Sequence, residues 1–285
     1  MRKKFDVSAA PCGPRPVIAY PGRETVEWYG FKRHNFELNG RPGFIVEPPN
    51  PAPGLPWHWC IQWAEAFVPR TPALKLLERG FHHVFYDVFD TCMNDDGVAA
   101  LEDFYCMLRS LGFHPRTVLT GMSYGGLFSL RWAAEHPETV AAIYLDAPVC
   151  TLDFRLTAHL RTLSPEQDAA SRKDAARIAK LFHTTVKGLA KHPLAPINNV
   201  QPIAEAKIPI YAIRSGQDMS VEPRANIDVF AERLQAAGGV IEVMRRDYYG
   251  HHPHGLPDPT PLVDFMLQHY PGFDTPRKGG KKKNA

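Results

Sequence analysis

Cysteine is scarce. Five residues (Cys12, Cys60, Cys92, Cys106 and Cys150) are scattered through 285, odd in number and without C-x-x-C spacing. That pattern excludes a disulfide framework and a zinc ribbon, and it makes a reducing cytoplasm the expected location. No apolar run approaches the roughly 18 residues of a membrane span. The opening MRKKFDVSAAPCGPRP has basic residues but no apolar stretch behind them, so no secretory signal is expected. Nothing recurs at periods of roughly 20 to 50 residues, which excludes solenoids and propellers. Charge of one sign is lacking too. The net charge is +3, and five cations (Arg277, Lys278, Lys281, Lys282 and Lys283) stand in the terminal PRKGGKKKNA; taking them from the 33 basic residues leaves 28 against 30 acidic, a body at −2. Such a body is no nucleic-acid platform, and the tail over 273–285 reads as basic, disordered and solvated.

What is present fits one large domain. An apolar fraction of 44% over this length supplies a substantial core, and two domains are not required. Residues 1–25 are proline-rich and without periodicity, and read as a loosely attached arm. The domain is expected from residue 26, and TVEWYGFKRHNFELNGRPGFIVEPP, starting at Thr25, holds two alternating stretches joined across Asn39-Gly40, a hairpin signal. Apolar strand patterns and amphipathic helix patterns then alternate: LPWHWCIQW, TPALKLLERG, FHHVFYDV, NDDGVAALEDFYCMLRSLG, TVLT, LFSLRWAAEH and VAAIYLDAPV. Residues 151–205 interrupt the rhythm with helical stretches and no convincing strand, after which IPIYAIRS, PRANIDVFAERLQAAGG, VIEVMRRDYY and DPTPLVDFMLQHY resume it up to about 272. An antiparallel hairpin followed by βα units predicts a mostly parallel sheet with helices on both faces. The 151–205 insertion is expected over the carboxyl edge of that sheet, as a cap.

The chemistry centres on Gly121-Met122-Ser123-Tyr124-Gly125, a G-x-S-x-G between a β-branched strand and a helix. There a serine sits on a sharp turn with its hydroxyl projecting above the sheet edge. A serine hydroxyl is a weak nucleophile alone, so a base and an acid must follow, in the order serine, acid, histidine. Ligands of such sheets gather at the carboxyl ends of strands. Asp218 follows IPIYAIRS, and the histidines of GHHPHGL follow VIEVMRRDYY. His251 directly after the strand is the expected base, with His252 and His254 as alternatives. Asp146, ending IYLDAP, is the alternative acid; Asp87 and Asp90 precede the serine and fit the order worse. The backbone N–H of Tyr124 is the expected first oxyanion donor, and that of Gln62 or Trp63 the second, although no HG or HGGG motif marks the place. HHPH invites a metal reading, yet no H-E-x-x-H, paired carboxylate motif or second ligand set accompanies it, so neither metal nor cofactor is expected. His82 and His83 alternate across a buried strand and read as core histidines. Trp57, Trp59, Trp63 and Tyr124 are candidates to stack on substrate, with Trp57 and Trp59 better explained as core.

GMSYGG, the GQD loop and GHH, in that order, resemble the α/β-hydrolase superfamily from about residue 26 to 270. PWHW, LLERGFHHVFYDV, FYCML, DAPV, AAGGVIEV and GHHPHGLPDPTPLVDF are similar, more narrowly, to a bacterial esterase-like group often encoded beside polysaccharide-degrading genes. The resemblance implies an α/β-hydrolase fold and an esterase or related hydrolase, with Ser123, Asp218 and His251 carried over as its triad. The chain departs from that pattern in CIQWAE after PWHW, in Tyr124 where an arginine is common, and in SGQD, a residue tighter than usual. The expected substrate is a small-molecule or carbohydrate ester. A prolyl-oligopeptidase-like peptidase, an acyltransferase and a non-catalytic binding protein on the same scaffold are the alternatives.

Overall fold

The computed structural model describes residues 4–8, 18–22, 24–157 and 163–273; the basic run from Arg277, Cys12 and most of the amino-terminal arm lie outside them. Three antiparallel strands come first: β1 (Glu24–Trp28), β2 (Phe31–Leu38) and β3 (Arg41–Glu47). The sequence predicts one hairpin here, and the structure has two. Tyr29-Gly30 adopts positive φ at both positions (50° and 84°), as Asn39-Gly40 does (50° and 77°), so each pair makes the tight turn that matches strand twist.

The parallel part comprises β4 (Trp57–Cys60), β5 (His82–Tyr86), β6 (Thr117–Met122), β7 (Val140–Asp146), β8 (Pro209–Ser215) and β9 (Val240–Arg246). All nine strands form one sheet in the order β1-β2-β3-β5-β4-β6-β7-β8-β9, antiparallel up to the β3–β5 pair and parallel beyond it. Central strands are buried on both faces, and alternate residues serve opposite layers. Leu119, Ile143, Leu145 and Ile210 pack with α2 (Asp95–Ser110), α3 (Gly125–Glu135) and α6 (Ile227–Ala236). Val118, Ala142, Tyr144 and Tyr211 face the other way, toward α1 (Ala73–Glu78) and α7 (Thr260–His269).

Between β7 and β8 the chain forms α4 (Pro165–Leu181), a series of 3-10 turns and the short α5 (Gln201–Glu205), with no strand among the described residues. Ser164 and Gln167 close a reciprocal capping box that starts α4 where proline follows the cap. The segment meets the loops at the carboxyl ends of β5 and β6. The Phe154 ring lies 5.1 Å from that of Tyr124, and Arg177 donates to the Asp90 carbonyl at 3.4 Å. Part of the arm is better attached than its composition predicts: the Phe5 ring sits 4.4 Å from Tyr105, and the Tyr20 ring stacks on His34 at 4.1 Å. Apolar and aromatic side chains dock there without any periodicity to announce them. Cys60, Cys92, Cys106 and Cys150 are free thiols, and no described helix is long and apolar enough to cross a membrane.

Candidate active site

Ser123 occupies the turn between β6 and α3 with φ at +50°, a left-handed conformation disfavoured for a serine. Such strain persists only where the surroundings over-determine it. Three backbone hydrogen bonds do so: Ser123 N–H donates to the Asp146 carbonyl (2.9 Å), while Gly126 and Val149 N–H groups donate to the Ser123 carbonyl (2.9 and 2.8 Å). Glycine is required by crowding. A Cβ on Gly121 would lie 2.9 Å from the Gly125 carbonyl oxygen, and one on Gly126 would collide with Pro148.

From this turn Ser123 Oγ reaches His251 Nε2 at 2.9 Å, and His251 Nδ1 reaches Asp218 Oδ2 at 2.7 Å. Asp218 is held by its other oxygen, which accepts the N–H groups of Ser220 and Val221 at 2.8 and 2.9 Å. The carboxylate is 1% exposed and so cannot turn to solvent. Ser123, Asp218 and His251 therefore stand together as one hydrogen-bonded chain.

The alternative acid and bases lie beside this chain and outside it. Asp146 bonds to His254 instead of His251: its Oδ1 takes His254 Nδ1 at 3.2 Å and Arg246 Nη2 at 3.1 Å. Its Oδ2 accepts from Gly255 N–H at 2.6 Å and from the Tyr144 hydroxyl at 2.7 Å. Asp146 thus anchors the loop that carries His251, because β7 ends directly beneath it. His254 is buried. His252 is exposed, with its ring stacked on Phe67 (5.3 Å, 22°), and burial followed by the neighbouring His251 holds its pKa below the usual histidine value.

Tyr124 opens α3 with helical angles (φ −59°, ψ −27°), so its N–H belongs to the unpaired first turn next to Ser123. Trp63 and Ser123 line one cavity of about 270 Å³ with Ala66, Phe67 and the histidines at 251, 252 and 254. That favours Trp63 over Gln62 as a group facing the serine; the Gln62 carbonyl instead packs 3.2 Å from where a Gly125 Cβ would stand. A second cavity, of about 340 Å³, shares Trp63 and Ala66.

Of the four proposed stacking rings, only Trp63 is available, at 40% exposure. Trp57 and Trp59 are fully buried, and the Tyr124 ring is buried against Phe89, Phe128 and Phe154. Burial also pushes the Tyr124 phenol pKa well above its usual value, so it stays neutral. Phe67, Phe89 and Arg246 also stand around the site without a signal in the sequence. Phe67 lies in an irregular loop with φ +53°, and Arg246 ends a strand whose alternation predicts an outward side chain, so neither carries a motif.

Known proteins share this architecture. A family model described as the alpha/beta hydrolase fold matches residues 75–199. Pyrococcus horikoshii acylaminoacyl peptidase superposes with a TM-score of 0.56 at 14% identity, over 84% of this chain and 40% of that one. A 2,6-dihydroxy-pseudo-oxynicotine hydrolase gives 0.59 at 17% identity, over 83% of this chain and 67% of that one. Puromycin hydrolase gives 0.57 at 15% identity, over 90% and 39%. The chain therefore spans about two fifths of the length of the acylaminoacyl peptidase it matches. No curated protein matches it. Sheet order, the serine turn after β6 and these likenesses agree: the chain has the α/β-hydrolase fold.

Proposed function

We propose that the chain is a serine hydrolase that cleaves acyl esters through Ser123, His251 and Asp218. The observation that carries this reading is the unbroken relay of 2.9 and 2.7 Å leading from a strained serine to a buried carboxylate. His251 Nδ1–H donates to Asp218, which leaves the Nε2 lone pair for the Ser123 proton. As Oγ attacks the carbonyl carbon, His251 takes that proton and Asp218 stabilises the imidazolium. The tetrahedral oxyanion faces the N–H groups of Tyr124 and Trp63; losing one such donor typically costs about a hundred- to thousand-fold in rate. His251 then protonates the leaving alcohol, and water releases the acyl group with His251 again as base.

Trp63, backed by the Phe89 ring at 5.5 Å, and Phe67 give the cavity an apolar, aromatic lining suited to an aryl or sugar ester. The similarity of GHHPHGLPDPTPLVDF to a bacterial esterase-like group points the same way, toward an acylated carbohydrate. Four free thiols support a cytoplasmic location. Amide cleavage is the second reading, favoured by the acylaminoacyl peptidase and puromycin hydrolase among structures of this fold. The same residues serve it, with His251 protonating an amine. A fluorophosphonate probe should add once to the wild-type chain and not to Ser123→Ala, read by intact mass. Adduct on both proteins would remove Ser123 from its role. Parallel panels of aryl esters and aminoacyl anilides then separate ester from amide chemistry.

A further inference from the structure

Three imidazoles meet at the mouth of the relay. One ring nitrogen from each of His251, His252 and His254 lies within 4.8 Å of the others, and all three side chains line the cavity that holds Ser123. His254 supplies the independent observation. It is 2% exposed, its Nδ1 is engaged by Asp146, and its Nε2 is buried with no hydrogen-bond partner among the described residues. A buried lone pair left empty in a polar cluster is normally filled.

The carboxylates behind two of these rings are placed as they typically are around a metal site. Imidazole ligands typically donate their remote N–H to a carboxylate, which fixes the tautomer and raises the basicity of the other nitrogen. Two of the three rings already do so: Asp218 holds His251 Nδ1 and Asp146 holds His254 Nδ1, which turns both Nε2 atoms into acceptors. Phe67 braces the other sides, stacked on His252 and edge-on to His254, both at 5.3 Å. A point equidistant from three atoms 4.8 Å apart lies roughly 2.8 Å from each. A contraction of under about 1 Å per ring therefore reaches the Zn–N length of roughly 2.0–2.1 Å. His252 is the exposed member of the three, packed edge-on against His251 and His254 at 4.7 and 4.9 Å.

We propose that His251, His252 and His254 bind a divalent transition-metal ion of the zinc class, and that the bound ion switches off the Ser123 relay. The inference rests on the serine-hydrolase reading for its consequence, though not for the binding itself. His251 Nε2 has one in-plane lone pair. It either accepts the Ser123 hydroxyl proton or ligates the ion, so the two states exclude each other. Three neutral imidazoles favour zinc, copper or nickel over magnesium or calcium. No motif marks such a site in the sequence, since HHPH stands without a second ligand set at metal spacing; here all three ligands come from one loop folded back on itself.

The test uses the untagged full chain, stripped of metal with EDTA, and the rate of fluorophosphonate labelling against added zinc chloride. Zinc content is measured by equilibrium dialysis on wild type, Ser123→Ala and His252→Gln, each labelling rate being compared with the same protein's own zinc-free rate. The proposal expects one zinc per chain in wild type and in Ser123→Ala. It expects labelling slowed at least about tenfold at saturation and restored by EDTA, with the zinc midpoint of His252→Gln raised about 10- to 100-fold or more. Normal labelling that zinc leaves unchanged, or accelerates, overturns the switch while the serine-hydrolase reading stands. Absent labelling without zinc overturns that reading instead. Zinc retained by wild type and Ser123→Ala but lost from His252→Gln then still supports the site, and zinc bound equally by all three, or by none, overturns it.

Discussion

Asp218 and Asp146 are buried carboxylates at the ends of neighbouring strands, β8 and β7, and each bonds a histidine of the same loop. Their remaining partners separate their roles. Asp218 spends one oxygen on the N–H groups of Ser220 and Val221 and keeps the other for His251. In Asp218→Asn the backbone donors hold the amide oxygen, so the NH2 faces His251 Nδ1 and selects the wrong tautomer. The labelling rate is expected to fall by about 10⁴-fold, with the thermal midpoint little changed. Asp146 instead balances the Arg246 guanidinium in a site where it is 0% exposed. Asp146→Asn leaves that cation without its counter-charge, and the expected loss is about 3–5 kcal/mol of stability. Chemical denaturation set beside labelling kinetics checks both. If Asp146→Asn proves the slower labeller and Asp218→Asn the less stable protein, the two assignments are reversed. Chain order alone favours Asp218 for His251, but it does not reveal that Asp146 secures the loop from below. That role depends on Arg246, Tyr144 and Gly255 converging from three segments, which no linear motif records.

At the scale of elements, the serine turn depends on how closely α3 can approach the loop after β7. Gly126 is in the first turn of α3, and a methyl group there meets Pro148. Gly126→Ala is therefore expected to cost about 1–3 kcal/mol and to slow labelling, because the helix must retreat from the strained serine. A variant with the wild-type denaturation midpoint and labelling rate would show that the contact is dispensable. This element was legible in sequence, as were β4 to β9, α2 and α6, because a buried parallel strand or an amphipathic helix repeats its pattern over several residues. The β1–β2 turn was not. Tyr29 carries no turn signature, and only the adjacent Gly30 marks the place where the strand reverses. Nor were the 3-10 turns between Leu181 and Gln201, which are too short for any period to register.

Across the whole molecule, the sheet centre contains a polar seam with no part in the relay. His58 on β4 pairs with His83 on β5, Nδ1 to Nδ1 at 2.9 Å, and its Nε2 meets Thr120 Oγ1 at 2.8 Å. His82 points to the opposite layer, where its Nε2 lies 2.9 Å from the Tyr20 hydroxyl. Burial is the first cause of depressed basicity in all three. His82 and His83 are pushed down to about 3 and His58 well below its usual value, with like charge across the His58–His83 pair adding to the His58 shift. The unfolded chain, with ordinary histidines near pH 6.5, takes up protons that the folded chain refuses. Stability is therefore complete above pH 6.5 and declines as pH falls from there toward 3, by up to about 1.4 kcal/mol per pH unit for each histidine. Between pH 6.5 and 4.5 the carboxylates are still largely ionised, so the histidines dominate the slope. Urea midpoints are expected to drop steadily through that window. In His82→Gln, which keeps a hydrogen-bonding group for Tyr20 and has no titrating ring, the drop should be shallower by about one proton's share. Midpoints that stay level to pH 4.5 would mean that the seam is charged or hydrated in the native protein, and the neutral pairing of His58 with His83 would have to be abandoned.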